Sequence, residues 1–258
     1  MICIPTYRRA NICKTKTLTM LLDNGIPACK INVYVANDEE YAIYNDVIPK
    51  TMYNKLIVGE IGLVNQREFI SKQFEDGQCI LFIDDDVGEF DLSLSDEFKK
   101  CSLDEFISIA FLECAKKGSY IWGVYPVYNP FFRKSRKEKT FGLNYIVGAF
   151  YGIINRPLLD DVKLTLTTQS GQKEDVERTI KYFICDGKVI RYNKIGFKTK
   201  YYGGTGGLGK FNDRIVPMKI ACEKLLEEYP EFGKIKIRKS GMYEFVLKGC
   251  KALEEEID

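Results

Sequence analysis

The stretch Cys79-Ile80-Leu81-Phe82-Ile83-Asp84-Asp85-Asp86-Val87 carries a run of mostly apolar residues straight into three carboxylates. A short apolar run of this kind reads as a buried strand of a parallel sheet. The acids then fall at its C-terminal end, where open α/β sheets place their ligands. Three adjacent carboxylates repel one another, and either water or a divalent cation must compensate them. Oxygen-only ligands suit Mg²⁺ or Mn²⁺. Strand alternation lets Asp84 and Asp86 point one way and Asp85 the other. Asp84 and Asp86 are therefore read as a metal and phosphate pair, against the alternative of a solvated acidic turn.

Upstream, the pattern repeats. Residues 2–4 form a short apolar strand that ends in Pro5-Thr6-Tyr7-Arg8-Arg9. Residues 11–23 read as a helix and 31–36 as a strand ending at Asn37-Asp38-Glu39-Glu40. Residues 41–47 read as helix, 55–58 as strand. A helix opened by Gly62 runs to about residue 74, with Asn65 as its N-cap and Gln66 and Arg67 in its first turn. Strand and helix alternate with short connections, which predicts an α/β fold with a mixed, mainly parallel central sheet flanked by helices. No Gly-x-Gly-x-x-Gly and no Walker loop is present, which disfavours a dinucleotide fold and a P-loop enzyme. Parallel strands bring their C-terminal ends to one edge. Thr6, Tyr7 and Arg8, then Asn37 and Asp38, then Gln66 and Arg67, then Asp84 and Asp86 should converge there. Basic and acidic groups together suggest a nucleotide diphosphate held by a divalent metal.

Downstream, residues 103–117 read as a helix, 120–128 as a strand and aromatic segment broken by Pro126 and Pro130, and 145–155 as a long strand. Residues 163–168 read as strand or extended loop, 169–172 as a turn, 174–185 as a helix and 188–192 as a strand. An amphipathic helix is expected over 213–228, then a β segment near 235–238 and a final helix. Three features stand out. Glu174-Asp175 open a helix, where acids are favoured by the dipole but where one could also act as general base. Gly203-Gly204-Thr205-Gly206-Gly207-Leu208-Gly209 can approach a ligand closely or act as a mobile lid. Arg133-Lys134-Ser135-Arg136-Lys137-Glu138-Lys139, flanked by Phe131-Phe132 and Phe141, fits phosphate contacts plus base stacking, or a solvated loop.

Composition narrows the chemistry. The 258 residues are 45% hydrophobic and 29% charged, with net charge +2. Any basic surface must be local. Nine cysteines without a Cys-x-x-Cys pair read as reduced thiols, hence a cytoplasmic protein. There is no histidine, so Ser-His-Asp and Cys-His catalysis are excluded and acid/base work falls first to Asp or Glu. Met1 leads into too few apolar residues for a secretory leader, and no window suits a membrane span.

These residues resemble a known group. Ile4-Pro5-Thr6-Tyr7-Arg8-Arg9, the Asp38 turn, the segment from Gly62 to Arg67, Phe82-Ile83-Asp84-Asp85-Asp86, the Gly148 strand and Glu174-Asp175 follow the order of nucleotide-sugar-dependent glycosyltransferases of GT-A fold. The Glu-Asp helix and the Gly-Gly-Thr-Gly-Gly loop look most like the TET/JBP-associated glycosyltransferases, which are similar to the base J glucosyltransferase and occur in phages and large viruses. That resemblance implies an inverting hexosyltransferase moving glucose from UDP-glucose to a hydroxymethylated pyrimidine, hydroxymethyluracil or hydroxymethylcytosine, in DNA. It implies that Pro5, Thr6, Arg8 and Asp38 line the nucleoside pocket, with Tyr7 and Gln66 beside them. Arg67 would lie near the ribose or diphosphate. Asp84 and Asp86 would hold the sugar diphosphate through Mg²⁺ or Mn²⁺, with Asp85 at the donor site, and Gly203 and Gly204 would close on the donor. Asp175, or else Glu174, would be the base. The Arg133–Lys139 loop would meet DNA. A transferase domain over 1–212, with a nucleotide half to about 90 and an acceptor half beyond, would carry a helical extension over 213–258. Many GT-A enzymes complete the metal shell with a C-terminal histidine, which this chain lacks. A glycan, protein or small-molecule acceptor is the other reading. A nucleotidyltransferase and a binding module that has lost catalysis are weaker ones.

Overall fold

The computed structural model describes residues 1–156, 171–199 and 211–249. Its elements run β1 (Ile2–Pro5), α1 (Ala10–Cys13), a π-helical turn (Lys14–Leu18), α2 (Thr19–Asp23), β2 (Ile31–Val35), α3 (Asp38–Val47), β3 (Lys55–Val58), α4 (Leu63–Lys72) and β4 (Cys79–Ile83). There follow β5 (Glu89–Asp91), α5 (Leu103–Lys117), β6 (Ile121–Tyr125), α6 (Pro130–Arg133), β7 (Lys139–Thr140), β8 (Phe150–Ile154), α7 (Glu174–Asp186) and β9 (Ile190–Lys198). The chain continues through α8 (Phe211–Glu228), β10 (Gly233–Ile237) and β11 (Tyr243–Leu247).

The expected α/β architecture is present. A mixed nine-stranded sheet has the order β3-β2-β1-β4-β8-β6-β9-β5, with β7 paired to β9. The first four strands are mutually parallel, so their C-terminal ends share one edge. β8 runs antiparallel to both of its neighbours. Side chains alternate between two cores as a strand period of two requires. Ile2, Ile4, Val33, Leu81 and Ile83 enter one core with Trp122 and Phe106. Cys3, Tyr34, Ile80, Phe82 and Tyr151 enter the other.

Local chemistry explains the ends of the helices. Asn37 caps α3 by accepting from the Glu40 amide at 2.9 Å. Ser102 and Glu105 form a reciprocal capping box on α5, and Gly118 closes it with φ +63°. α4 differs from expectation: Gly62, at φ +95°, is its N-cap, and Asn65 lies inside the first turn with its amide donated to the Ile61 carbonyl. The strand expected over 145–155 is shorter, because residues before Phe150 leave the ladder. At the C-terminus, residues 243–247 form the second strand of a hairpin with β10. The final helix expected after the β segment is not what residues 243–247 form, and residues 250–258 lie outside the described residues. Cys222, Leu225 and Phe245 of this last unit pack on Val176 and Ile180 of α7. No disulfide joins any two of the eight described cysteines. No described helix is long and apolar enough to cross a membrane.

Candidate active site

The three acids sit where β4 ends, and each takes a different partner. Asp84 donates its amide to the Ala149 carbonyl at 3.0 Å, and its carboxylate accepts from Arg67 Nη2 at 3.1 Å. Asp85 is buried, with one oxygen bonded to the Thr6 hydroxyl at 2.6 Å and the other to Arg9 at 3.2 Å. Asp86 accepts from the Thr199 hydroxyl and lies 3.4 Å from Arg9. The alternation that paired Asp84 with Asp86 therefore stops short. The strand ends at Ile83, a turn begins, and Arg9 gathers Asp85 with Asp86 instead. Thr17, fully buried in the π-helical turn, fastens this backbone. Its hydroxyl donates to the Asp84 carbonyl at 2.7 Å and accepts the Val87 amide at 2.9 Å. An extra residue in a helix at a functional site is a recurrent use of π-turns. Burial, reinforced by Asp86, Asp85 and Glu174, pushes the Asp84 carboxyl up to about 7 against the pull of Arg67. Burial likewise lifts Asp85 to about 6, against Thr6 and Arg9.

The turn after β1 is locked from beneath. The Arg9 amide donates to the Tyr44 hydroxyl at 2.9 Å, which is 2.7 Å from the Thr6 hydroxyl, which donates in turn to Asp85. Arg8 has φ +56°, a left-handed conformation uncommon for a side-chain-bearing residue. Its amide is held by buried Glu40 at 2.7 Å, and its exposed guanidinium lies 5.0 Å from the Tyr7 ring centre. Pro5 is buried at the end of β1, and Asp38 is exposed at the first position of α3. Gln66 is spent on the backbone: its amide spans Val35 O at 3.0 Å and Glu60 N at 2.7 Å. It braces the strand-end loop and leaves little capacity for a ligand, contrary to its expected place in a donor pocket.

Arg67 joins this turn to the other half of the sheet. The guanidinium is 2% exposed and bonds Asp84, the Gly148 carbonyl at 2.7 Å and Glu174. Burial opposes its charge, but Glu174, Tyr151, Asp84 and Asp175 around it prevail and hold it protonated. The second oxygen of Glu174 accepts from Arg178 at 2.7 Å, one helical turn on. Arg178 stacks 3.7 Å from the Tyr151 ring centre. Glu174 is therefore buried between two guanidinium groups. Asp175 differs: it is partly exposed, accepts from the Tyr145 hydroxyl and lies 3.3 Å from the Gly148 amide. Gly148 thus offers its carbonyl to Arg67 and its amide to Asp175. A Cβ there would sit 2.9 Å from Glu174 Oε1 and 3.0 Å from Arg67 Nη1. Only a residue without a side chain lets the three groups meet.

The donor set fits a hard divalent cation of the Mg²⁺ type, which takes one or two carboxylates and completes its shell with water and phosphate oxygens. Asp84 and Asp86, at the end of β4, would supply the carboxylates. Among the described residues no third acid, Cys or His completes an all-protein cage.

The basic loop is less basic outside than its sequence suggests. Arg133 is fully buried and bonded to Asp91, Lys194 O and Tyr128 O. Lys139 pairs with Glu97 and Glu113 at 2.8 and 2.9 Å. Arg133 is thus a fold residue and cannot meet DNA as expected, while Lys134, Arg136 and Lys137 remain exposed. Gly203 and Gly204 lie outside the described residues.

Comparison with family profiles gives no match, and comparison with curated protein sequences gives none either. Solved structures do match. S. aureus TarS superposes with a TM-score of 0.51 at 14% identity, covering 87% of this chain and 39% of that one. The mannosyltransferase PcManGT from Pyrobaculum calidifontis, solved with GDP-Man and Mn²⁺, gives 0.51 at 13% identity, covering 90% and 64%. The fold is that of the GT-A glycosyltransferases. This chain spans less than two thirds of either structure. Tyr44, Tyr145, Arg178 and Thr199 escaped the sequence reading, and Arg9 and Glu40 were quoted in strand-end turns without being singled out as site residues. Arg178 had a local signal, because i,i+4 spacing puts it on the same helix face as Glu174.

Proposed function

We propose that this chain is a metal-dependent inverting glycosyltransferase. It moves a hexose, with glucose as the working assignment, from a nucleoside-diphosphate sugar such as UDP-glucose to the hydroxyl of a hydroxymethylated pyrimidine in DNA. One observation supports the catalytic reading most. A single side chain, Arg67, reaches both the acid turn and the start of the helix that carries Asp175.

In this reading Asp84 and Asp86 hold the cation and Pro5, Thr6, Tyr7, Arg8 and Asp38 border the nucleoside. A bound Mg²⁺ or Mn²⁺ supplies charge that stabilises the departing diphosphate. Asp175 accepts the proton of the acceptor hydroxyl, which attacks the anomeric carbon from the face opposite the leaving group and so inverts it. The Tyr145 hydroxyl and Gly148 amide fix the plane of that carboxylate. Glu174, buried and ion-paired with two guanidinium groups, positions Arg67, whereas the partly exposed Asp175 serves as the base. Asp85 locks the first turn to the fourth.

A second reading keeps the chemistry and moves the acceptor to a glycan, protein or small molecule. The internal pairing of Arg133 and Lys139 favours it, because it removes charge from the surface meant for DNA. Incubation with a panel of sugar nucleotides, Mn²⁺ and DNA bearing hydroxymethyluracil or hydroxymethylcytosine separates the two. Nucleoside-diphosphate release with a hexose mass gain on the nucleoside is expected. Release without a gain on any DNA refutes the DNA acceptor, and no release from any donor refutes the transferase.

A further inference from the structure

Arg136 and Arg191 are a pair of cations with no ion pair to any acid among the described residues, and Arg191 is linked to the candidate base through Tyr145. Arg136 and Arg191 both lie against Tyr125, their guanidinium carbons 4.3 and 5.3 Å from its ring centre. Arg191 donates to Asn193 Oδ1 at 2.8 Å, Asn144 Oδ1 at 3.1 Å and the Tyr145 carbonyl at 3.3 Å, all of them uncharged oxygens. Arg136 donates to the Phe132 carbonyl at 2.8 Å. Burial, together with repulsion from Arg136, pushes Arg191 down to about 10, with Tyr125 opposing. A half-buried guanidinium held by neutral groups next to a second one is a costly arrangement that an incoming anion relieves.

We infer that Arg136 and Arg191, set against Tyr125, form a subsite for a phosphodiester of a single nucleic-acid strand. Two further observations favour a strand. Phe131 and Phe132 are 67% and 49% exposed on α6, which leads into Arg136, and supply faces on which bases can stack. Tyr145 receives Arg191 on its carbonyl and donates its hydroxyl to Asp175, so one residue separates the subsite from the base. The inference deepens the DNA-acceptor reading and rests on it.

Fluorescence anisotropy of a labelled single-stranded oligonucleotide, without donor, tests it. The comparison uses phosphodiester and methylphosphonate backbones with wild type, Arg136→Gln, Arg191→Gln and the control Lys219→Gln on α8. Each arginine variant should weaken phosphodiester binding by about tenfold and lower the salt slope by about 0.7, the share of a single phosphate. Lys219→Gln should bind as wild type, and the methylphosphonate strand should bind weakly to all. Arg136 is exposed, so its variant stays informative if Arg191→Gln does not fold. Unchanged affinity in the arginine variants, equal loss in Lys219→Gln, or tight binding of the neutral strand overturns the subsite. Binding to phosphatidylserine vesicles but not to the oligonucleotide overturns it in favour of a lipid surface. Donor hydrolysis, measured in parallel, should be unchanged in Lys219→Gln. Its absence from wild type refutes the transferase reading instead and leaves the binding comparison standing.

Discussion

Glu174→Gln removes one charge from the place where two guanidinium groups meet it. Glu174 is 4% exposed, bonded to Arg67 on one oxygen and to Arg178 on the other. Glutamine keeps one acceptor and turns an N–H toward the second arginine. Charge-assisted hydrogen bonds are worth about 1.5–3 kcal/mol each, and breaking a buried pair from one side costs about 3–5 kcal/mol. For a chain of this length each kcal/mol moves Tm by about 2–4 °C, so the variant should melt roughly 6–20 °C lower. The comparator is Asp175→Asn, whose partly exposed carboxyl faces a tyrosine hydroxyl and backbone amides. It should keep its Tm within a few degrees and keep donor binding, yet lose transfer. Differential scanning fluorimetry and a transfer assay, run on both variants, decide the matter. A Glu174→Gln protein that melts with wild type but is inactive, beside an active Asp175→Asn, would refute the assignment and make Glu174 the base.

Other changes should separate site from scaffold. Gly148→Ala, crowding Arg67 and Glu174 at about 3 Å, should cut kcat about a hundredfold, as an ångström of misplacement does; Gly249→Ala, with open space around it, should not, and equal activities would refute the convergence. Asp86→Ala should abolish donor hydrolysis and transfer with the fold intact by circular dichroism, while chelation of the cation should abolish both in wild type and added Mn²⁺ restore them. Full activity in either case refutes the metal assignment. Trp122→Ala, at the centre of edge-on contacts with Phe106, Phe111 and Tyr192, should cost about 3–5 kcal/mol by denaturant unfolding; a drop under about 1 kcal/mol would mean that the core closes around it.

What could be read from the chain follows from range. β1 to β4, α5 and α7 are legible because their apolar periods and caps lie within a few residues of one another. The convergence of strand ends is legible because parallel topology alone dictates it. Partners are a different matter. Nothing local says that Arg9 will gather Asp85 and Asp86 from 76 and 77 positions away, or that Asp91 will take Arg133 into the fold. The basic loop looked like one surface because its charges are contiguous, yet two of them face acids supplied by other elements. Gln66 looked like a ligand group because of its position, but buried backbone groups at a strand end also need partners, and it serves those.

The meeting of the two halves rests on where β8 begins. Antiparallel pairing sets Ile83 opposite Phe150, and the next ladder bond runs from the Asp84 amide to the Ala149 carbonyl. One residue further, the chain leaves the strand as Gly148, level with the acid turn. Its carbonyl accepts from the arginine that touches Asp84, and its amide donates to Asp175, the second residue of α7. The spacing between Asp84 and Asp175 is thus set by one strand register rather than by loop conformation. A one-residue slip would reverse every side chain of β8, including Tyr151, which stacks on Phe82 and lies under Arg178. The same buried contacts that hold the register therefore also hold the candidate catalytic groups at their spacing.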